Sequence, residues 1–420
     1  MATMLTELRL DDWKSFGSGE GARNVIKLAP VTLLVGPNGS GKSNVLDALR
    51  FLQGAAQGMS LADVLRGRWE GSREVWPGIR GHIVESARHG KTAVGMSCRL
   101  DLGDSRLDYT LRVSMDEPVH VLAESLWEDW SLKAHNSDER LIFDTHWRSV
   151  SKLASRTKGG VITALLGNPW GAAHKQLFGA LRSLLGQITT DPDKRIARYC
   201  IERINRTRRA LSEFVSLDIR PSMMRDYRPD VAGPLGDSGE NISSVLSSMS
   251  AEQLQDVVDW LGELCAPPLD RIDFDRTQLR EVMMFLVEEG GARISARSAS
   301  DGTLRFLGLV VALLTCPNGS MVVLEEPDVG LHPSRIRLLA ELLERTASRR
   351  QIQILATTHS PTLLAHLSAD TLGSVVAFGR DPETGWTACS TLRDLPHFET
   401  LRDSKNLEHL ISTGWLEREL

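Results

Sequence analysis

One segment near the start of the sequence restricts the possible folds of this chain more than any other. It fits the pattern G-x-x-x-x-G-K-[ST] and consists of Gly36, Pro37, Asn38, Gly39, Ser40, Gly41, Lys42 and Ser43. The apolar run 31–35 precedes it, and a helical pattern with apolar residues on one face follows it. A strand, a glycine-rich turn and a helix in this order form a phosphate-binding loop, because backbone N–H groups and the positive helix end converge on one anion.

Two side chains of this loop indicate which cofactors it would hold. Lys42 is expected to bridge the β- and γ-phosphates of a nucleotide, and the Ser43 hydroxyl is expected to bind Mg²⁺. The predicted cofactors are therefore ATP and Mg²⁺.

A second segment, about 280 residues after the first, supplies the acids that such a site needs. Residues 321–324 are all apolar, which is typical of a central parallel strand, and Glu325, Glu326 and Pro327 follow directly. The strand would carry both acids to the carboxyl end of the sheet, where ligands bind in open α/β folds. Glu325 is expected to hold the Mg²⁺ shell, usually through water, and Glu326 to orient or deprotonate the attacking water.

Two further segments belong to this prediction. Ser300, Asp301 and Gly302 open an apolar helix, with Ser300 as a good N-cap and Gly302 leaving the helix start open for close approach. Since the phosphate loop is already complete, we expect this helix to face a nucleotide on a second subunit; an ordinary capped core helix is the alternative. His359 lies two residues after the apolar run 351–357 and is predicted to sense the γ-phosphate, although a lone histidine is more often structural.

Composition excludes several other classes of protein. Apolar residues make up 41% of the chain and charged residues 25%, with a formal net charge of −5, so nucleic-acid binding would need a local basic patch. The five cysteines lack C-x-x-C spacing, which argues against a zinc site or a disulfide framework. Without an apolar run of membrane length or a leader pattern, the chain is expected to be cytoplasmic and to make no membrane contact.

The gap between the two motif halves predicts the domain organisation. We expect an ATPase core with a mixed, largely parallel sheet flanked by helices, preceded by an antiparallel β portion. Residues 1–115 would form the N-terminal lobe, 116–212 a mainly helical insertion, and 213–420 the C-terminal lobe. The insertion's tryptophans are expected to be core residues rather than a ligand box; they are Trp127, Trp130, Trp147 and Trp170.

Taken together, the motifs resemble the ABC-type ATPases of the RecF and structural-maintenance-of-chromosomes group. They are more similar still to bacterial predicted AAA-family ATPases related to the ATPase domain of OLD-family proteins. The matching segments are Trp13-Lys14-Ser15-Phe16, Gly36 to Ser43 with Asn44, Ser300 to Arg305, Glu325 to Pro333, and Thr358-His359-Ser360-Pro361. The resemblance implies a head domain that binds ATP, uses Asn44 in the site, and forms a head-to-tail homodimer in which Ser300 of one subunit closes over the other's phosphate loop.

Three features depart from that resemblance. Glu325 replaces the more usual aspartate of the metal-binding strand, which predicts slow hydrolysis. His332 stands where transporter ATPases have an aspartate at the dimer contact. The metal-sensing glutamine has no clear counterpart, since Gln53 and Gln57 are close to the phosphate helix but are equally compatible with surface positions.

Several functions remain open at this stage. We favour a Mg²⁺-dependent ATPase whose dimerisation switches contact with DNA or a partner protein, in DNA repair or antiphage defence. The alternative is a sensor with little hydrolysis that regulates a separate nuclease or toxin, because the roughly 60 residues after His359 are too few for a nuclease domain of its own. A transporter subunit is disfavoured by the long insertion and by the Ser-Asp-Gly-Thr segment.

One basic stretch is a candidate for DNA contact, and a solvated basic face is the alternative reading. Its cationic residues are Lys194, Arg195, Arg198, Arg203, Arg206, Arg208 and Arg209. We expect Arg206, Arg208 and Arg209 to carry any contact with DNA.

Overall fold

The computed structural model describes residues 3–129, 139–144 and 195–402. The strands are β1 (Met4–Asp11), β2 (Val25–Lys27), β3 (Val31–Val35), β4 (Arg68–Glu70), β5 (Arg73–Trp76), β6 (Ala93–Asp101), β7 (Arg106–Ser114), β8 (His120–Asp129), β9 (Glu139–Asp144), β10 (Val215–Leu217), β11 (Arg228–Pro229), β12 (Leu269–Arg276), β13 (Glu281–Glu288), β14 (Arg293–Ser295), β15 (Met321–Leu324), β16 (Gln353–Thr358), β17 (Val376–Arg380) and β18 (Thr387–Thr391).

Ten α-helices lie between or after these strands in the described residues. They are α1 (Lys42–Ala56), α2 (Leu61–Arg66), α3 (Arg195–Ser212), α4 (Ile242–Ser247), α5 (Ala251–Leu264), α6 (Asp301–Thr315), α7 (Ile336–Arg350), α8 (Pro361–Ala365), α9 (Ala369–Gly373) and α10 (Phe398–Arg402). None of the helices in the described ranges is long and apolar enough to cross a membrane.

The central sheet places the functional segments at one end, where its parallel strands terminate. Its strand order is β10-β15-β16-β3-β17-β18, and every neighbouring pair is parallel except β17 and β18. All residues of β3, β15 and β16 are buried, which is typical of central parallel strands that are covered on both faces. Because the three strands run in the same direction, the loops that follow them lie at the same end of the sheet. The predicted α/β class with a largely parallel sheet is confirmed.

Apolar residues cover both faces of this sheet. Leu33 belongs to the cluster built around α6 and α7, whereas its neighbour Leu34 belongs to the cluster that contains α1 and the N-terminal strands. Adjacent residues of a strand point to opposite faces, so the sheet lies between a layer formed by α6 and α7 and a layer formed by α1 with the N-terminal strands. Helix α1 packs on the sheet through this second cluster, and its first residue directly follows the loop after β3.

The N-terminal antiparallel portion is larger than the sequence indicates. It has the strand order β2-β1-β6-β7-β8-β9. The mainly helical structure expected for residues 116–212 is therefore wrong for β8 and β9, while α3 agrees with it. Trp127 lies on β8, and Trp130, Trp147 and Trp170 lie outside the described residues. The division at 115 and 212 stays a prediction.

Buried acids explain why β8 was missed. Glu124, Leu126 and Glu128 alternate as its buried positions, so two carboxylates occupy places where a strand pattern normally shows apolar residues. The Tyr109 hydroxyl donates to Glu124 at 2.8 Å, and Arg203 Nε donates to Glu128 at 2.9 Å. These hydrogen bonds offset the cost of burying the two carboxylates. Because the buried positions are acidic, the sequence of β8 lacks the alternation of apolar and polar residues that indicates a strand.

Candidate nucleotide-binding site

The loop between β3 and α1 forms a cradle that only glycine permits at two positions. At Gly36 an added Cβ would lie 2.2 Å from the carbonyl oxygen of Phe378. Gly41 has a φ of +113°, and an added Cβ there would lie 2.4 Å from Thr387 Oγ1. Substitution at either place would push the loop away from β17 and β18. The cradle is therefore fixed against the central sheet.

Two polar groups inside the cradle suit an anionic ligand. The Lys42 ammonium is 6% exposed and donates to the carbonyl oxygens of Gly36 at 2.7 Å and Pro37 at 3.0 Å. Burial lowers the pKa of Lys42, and the nearby Glu326 carboxylate opposes that shift. The Ser40 hydroxyl is 1% exposed and has no hydrogen-bond partner within the described part of the chain. A phosphate would give both groups charged or accepting partners, so the residues present fit ATP.

The first of the paired acids meets the loop. Ser43 Oγ donates to Glu325 Oε1 at 3.4 Å, which brings together the two residues predicted to hold Mg²⁺. One hydroxyl and one carboxylate are a small set of protein ligands, which suits a metal that keeps several waters and binds phosphate oxygens. These residues therefore fit the ion as well.

The second acid pairs with the predicted histidine. His359 Nε2 lies 3.6 Å from Glu326 Oε1. Glu326 has a φ of +47°, an uncommon conformation for a residue with a side chain, and its backbone N–H donates to Thr357 Oγ1 at 3.1 Å. Such strain persists where the surrounding structure imposes it, and it concentrates at functional sites. The structure thus gathers Lys42, Glu326 and His359 at one end of the sheet.

Sequence reasoning missed a cation at the centre of this site. Arg80 Nη1 donates to Glu325 Oε1 at 3.1 Å, and Nη2 donates to the Ser43 carbonyl at 2.9 Å. Arg80 Nε also donates to both carboxylate oxygens of Asp47 at 3.2 Å. Burial opposes the charge, but Asp47 and Glu325 outweigh it and raise the pKa of Arg80.

Asp47 is the signal that could have revealed this network. It lies one helical turn after Ser43 and is only 3% exposed, and Lys14 forms a second ion pair with it. A carboxylate at a buried position of an otherwise apolar helix face requires a cation nearby. The sequence does not say which arginine supplies it, because residues 77–91 contain no regular strand or helix pattern.

The predicted cofactor residue Asn44 contacts the Trp13-Lys14-Ser15-Phe16 segment beside the cradle. Its Nδ2 donates to Ser15 Oγ at 2.7 Å, and its carbonyl accepts from Trp13 Nε1 at 2.8 Å. Ser15 Oγ and Thr387 Oγ1 lie 2.7 Å apart, and Thr387 Oγ1 donates to the Ser40 carbonyl at 2.8 Å. The Trp-Lys-Ser-Phe segment therefore supports the phosphate loop from the side.

Arg380 adds a positive charge next to the loop. Its Nε donates to the Gly39 carbonyl at 2.9 Å and its Nη1 to the Gly385 carbonyl at 3.0 Å. Burial lowers the pKa of Arg380. None of the ion pairs found in the described residues involves it. A cation held by carbonyl oxygens alone is suited to an incoming phosphate.

The start of α6 is held by an arginine that the sequence did not indicate. Arg225 forms an ion pair with Asp301. The Nη1 of Arg225 donates to the carbonyl oxygens that precede the helix, those of Ala296 (3.1 Å), Arg297 (2.7 Å) and Ala299 (2.9 Å). An added Cβ at Gly302 would lie 2.6 Å from the Gly330 carbonyl oxygen, so the loop after Glu326 packs directly on this helix start.

The two glutamines considered as metal sensors have other partners. Gln53 Nε2 donates to the carbonyl oxygens of Phe214 at 2.8 Å and Ser212 at 3.3 Å, and Gln57 Nε2 donates to Ser212 at 3.1 Å. Both therefore hold the end of α3. His332 Nδ1 accepts from the Ser334 N–H at 3.3 Å and caps a short 3-10 helix.

The basic stretch on α3 divides into inner and outer residues. Arg203 is 5% exposed and pairs with Glu128, so it stabilises the N-terminal sheet and does not belong to a basic surface. Arg206 and Arg208 are half-buried and Arg209 is exposed. Lys194 lies outside the described residues, as do the side chains of Arg195 and Arg198.

The fold and the site together define a P-loop ATPase class: a parallel sheet, a phosphate loop after β3 and paired acids after β15. The comparison with family models then gives the particular family. The model described as "AAA domain, putative AbiEii toxin, Type IV TA system" matches residues 31–85 and 181–365, and the chain belongs to this family. A search of curated proteins found no match.

Several solved structures are similar to this chain. The SMC head domain from Thermotoga maritima is 14% identical, with a TM-score of 0.43, over 92% of this chain and 98% of that one. An SmcHead bound to the C-winged helix domain of ScpA is 13% identical, with a TM-score of 0.47, over 93% and 98%. A Pyrococcus furiosus Smc head domain bound to the C-terminal domain of ScpA is 13% identical, with a TM-score of 0.42, over 92% and 96%.

Proposed function

We propose that this protein binds ATP with Mg²⁺ between the phosphate loop and the paired acids, and hydrolyses it. The observation that carries the proposal is the convergence of Lys42, Ser43, Glu325, Glu326 and His359 at one end of the central sheet. These five residues, of types that phosphoryl transfer uses, come from three separate loops, which a structural role alone does not demand.

The chain's own groups would divide the work as follows. Lys42 and the loop N–H groups bind and orient the phosphates, and Ser43 with Glu325 holds the metal. Glu326 accepts a proton from water, and His359 orients that carboxylate. When bound, Mg²⁺ supplies charge neutralisation at the phosphates. Arg80 keeps Glu325 in place through its 3.1 Å hydrogen bond.

ATP is further proposed to join two copies of the chain head to tail. The start of α6 exposes Ser300 and Asp301, and their side-chain bonds within the described chain go to Thr303 and Arg225. This surface would contact the nucleotide held by the other copy. The dimer would then switch contact with DNA or a partner protein in the cytoplasm. Arg206, Arg208 and Arg209 are the proposed DNA contacts.

The family description favours a defence role over DNA repair. It refers to a putative toxin of a toxin–antitoxin system, and control of a separate effector is our own further proposal. A sensor with little hydrolysis is the second candidate function. Arg80 favours it, because this arginine already occupies one oxygen of Glu325 that the metal shell would use.

Turnover of ATP by the wild type and by Glu326→Gln, with and without duplex DNA, tests these proposals. Loss of the general base is expected to slow turnover by about 100-fold or more and to accumulate an ATP-bound dimer on size-exclusion chromatography. Glu341→Gln, on the surface of α7, is the matched control. Wild-type protein that neither binds nor hydrolyses ATP with Mg²⁺ would refute the proposal, and an unchanged dimer lifetime would favour the sensor.

The DNA contact has a separate test. Neutralising Arg206, Arg208 and Arg209 together is expected to weaken DNA binding and to reduce its salt dependence. Neutralising Arg337, Arg345 and Arg349 on α7 removes the same charge elsewhere. Equal binding by both triple variants would eliminate the α3 surface as the DNA contact and leave a protein partner.

A further inference from the structure

An open cleft continues from the phosphate site along the surface. It has a volume of about 840 Å³ and runs from Ser43 and Asn44 at the start of α1 to Arg88 and Trp386. This volume lies within the usual range of small-molecule sites, about 300–1,000 Å³. A nucleotide whose phosphates occupy the cradle must place its sugar and base outside it. The cleft is connected to the cradle and offers that space.

Trp386 forms a fixed, flat wall of the cleft. Its six-membered ring packs so closely on Gly17 that an added Cβ there would lie 2.1 Å from Trp386 Cε3. The next residue, Thr387, donates its N–H to the Ser15 carbonyl at 2.8 Å and its hydroxyl to the Ser40 carbonyl at 2.8 Å. The indole is therefore tied to the phosphate loop through one residue, and its distance from the phosphates is set by the fold.

Arg88 stacks on the Trp386 ring, so its guanidinium covers part of the indole and adds its own flat face to the cleft. Its guanidinium carbon lies 4.8 Å from the centre of the Trp386 ring, and its Nε donates to Asp12 Oδ1 at 3.0 Å. Asp12 has a φ of +53°, so the backbone is strained where it presents this carboxylate. Indole and guanidinium groups both offer flat faces that stack on aromatic rings. Bases stack on such faces largely independently of their hydrogen-bonding edges.

We propose that Trp386 and Arg88 form the subsite for the purine base of the bound nucleotide. The proposal rests on the proposed ATP binding at the phosphate loop and deepens it. It assigns base binding to the hairpin of β17 and β18 together with the loop before β6. Recognition by stacking predicts that affinity depends on the presence of a base more strongly than on which purine it is.

Dissociation constants for MgATP, MgGTP and Mg-tripolyphosphate, measured by calorimetry on the full chain, test this subsite. Trp386→Ala is expected to weaken ATP and GTP binding about tenfold and to leave tripolyphosphate binding unchanged. Trp386→Phe should retain most of the affinity, and Arg88→Gln should weaken ATP selectively as well. Trp260→Ala is the matched control, because Trp260 also carries an arginine over its ring, Arg345 at 5.3 Å, but belongs to α5.

The outcomes separate the subsite from the proposed function. A wild type that binds neither ATP nor tripolyphosphate would overturn both. A wild type that binds the two equally, or Trp386→Ala and Arg88→Gln proteins that bind ATP within twofold of the wild type, would overturn the base subsite alone. Equal weakening of ATP and tripolyphosphate by both variants would show that these residues support the phosphate loop, and would also reject the subsite.

Discussion

Helices α1 and α6 both have a glycine at their start, Gly41 before α1 and Gly302 within α6, but the groups around their first turns differ. Gly41 precedes α1 and makes no side-chain cap, and the first turn carries no acidic residue. Ser300 precedes α6 and accepts the Thr303 N–H through its own side chain, and Asp301 puts a carboxylate in the first turn. The free N–H groups at the start of a helix attract anions, whereas a capped start with an acid has satisfied part of that need.

This difference assigns the two helix starts different roles. The start of α1 is surrounded by Lys42, Ser40 and Arg380, whose polar groups are held by carbonyl oxygens or have no partner in the described chain. It is a site that a phosphate would complete. The start of α6 pairs with Arg225 and packs on Gly330, so its polar groups already have partners within the chain. In the proposed head-to-tail dimer, one copy of the chain would provide one phosphate cradle and one contact surface.

The largest expected effect concerns the cradle. Lys42→Ala should weaken ATP binding by about 100-fold, because a buried ammonium that bonds phosphate oxygens contributes about 1.5–3 kcal/mol. Calorimetric titration with MgATP measures the change. Lys27→Ala is the control, since Lys27 is exposed and pairs with Asp394. If Lys42→Ala binds ATP as the wild type does, the contrast between the two helix starts is wrong.

The second effect concerns the support of α1. Arg80→Gln should lower the free energy of unfolding by about 2 kcal/mol, because Asp47 is buried and would keep, among the described residues, only Lys14 as a cationic partner. Urea denaturation measures this loss. The double variant Arg80→Gln with Asp47→Asn should recover part of it, since the carboxylate is then absent. Additive effects of the two substitutions would show that Arg80 acts through other contacts.

Much of the cradle could be predicted because its signals are local. The phosphate loop, β15 and β16 each consist of consecutive residues whose order determines both structure and chemistry. Glu325 and His359 were placed correctly at the sheet end because parallel strands align their carboxyl ends.

The residues that were missed depend on contacts between distant segments. Arg80 comes from an irregular loop, and Arg225 reaches Asp301 from 76 residues away. Neither arginine stands in a pattern that differs from other exposed arginines. Strand β8 was missed for a related reason, since the buried Glu124 and Glu128 meet partners such as Tyr109 and Arg203 only in the folded chain. Polar pairs between distant segments produce no periodic pattern in the sequence, so the sequence does not indicate them.

A third effect concerns the contact surface. Gly302→Ala should weaken ATP-dependent dimerisation about tenfold, because its Cβ would push the helix start away from the Gly330 carbonyl oxygen, 2.6 Å away. Analytical ultracentrifugation of the variant on a Glu326→Gln background measures the dimer. ATP binding to the monomer should stay unchanged.

Gly290→Ala provides the control for this substitution. In the described part of the chain, no heavy atom lies within 4 Å of a Cβ added at Gly290, so this substitution changes backbone freedom without a clash. Gly302→Ala protein that loses ATP binding in the monomer would mean that α6 contributes to its own subunit's site. The distinction between cradle and contact surface would then fail.

The smallest effect concerns Asp328, in the loop that joins Glu326 to the contact surface. Burial raises the pKa of Asp328, and a hydrogen bond from Thr358 only partly offsets this. One carboxylate oxygen is buried without a partner within the described residues. The folded state therefore holds the proton more tightly than the unfolded state, whose value is near 3.8, and stability decreases as the pH rises through the folded pKa.

Asp328→Asn should accordingly raise the free energy of unfolding by about 1 kcal/mol at pH 7.5, with the gain shrinking as the pH falls toward 4. Urea denaturation across this range measures it, with the exposed Asp370→Asn as control. A gain that is constant with pH would show that ionisation is not its cause. If this gain in the free energy of unfolding disappears in the ATP-bound dimer, the Asp328 carboxylate gains a hydrogen-bond partner there. The unpaired carboxylate would then destabilise the loop after Glu326 only in the monomer.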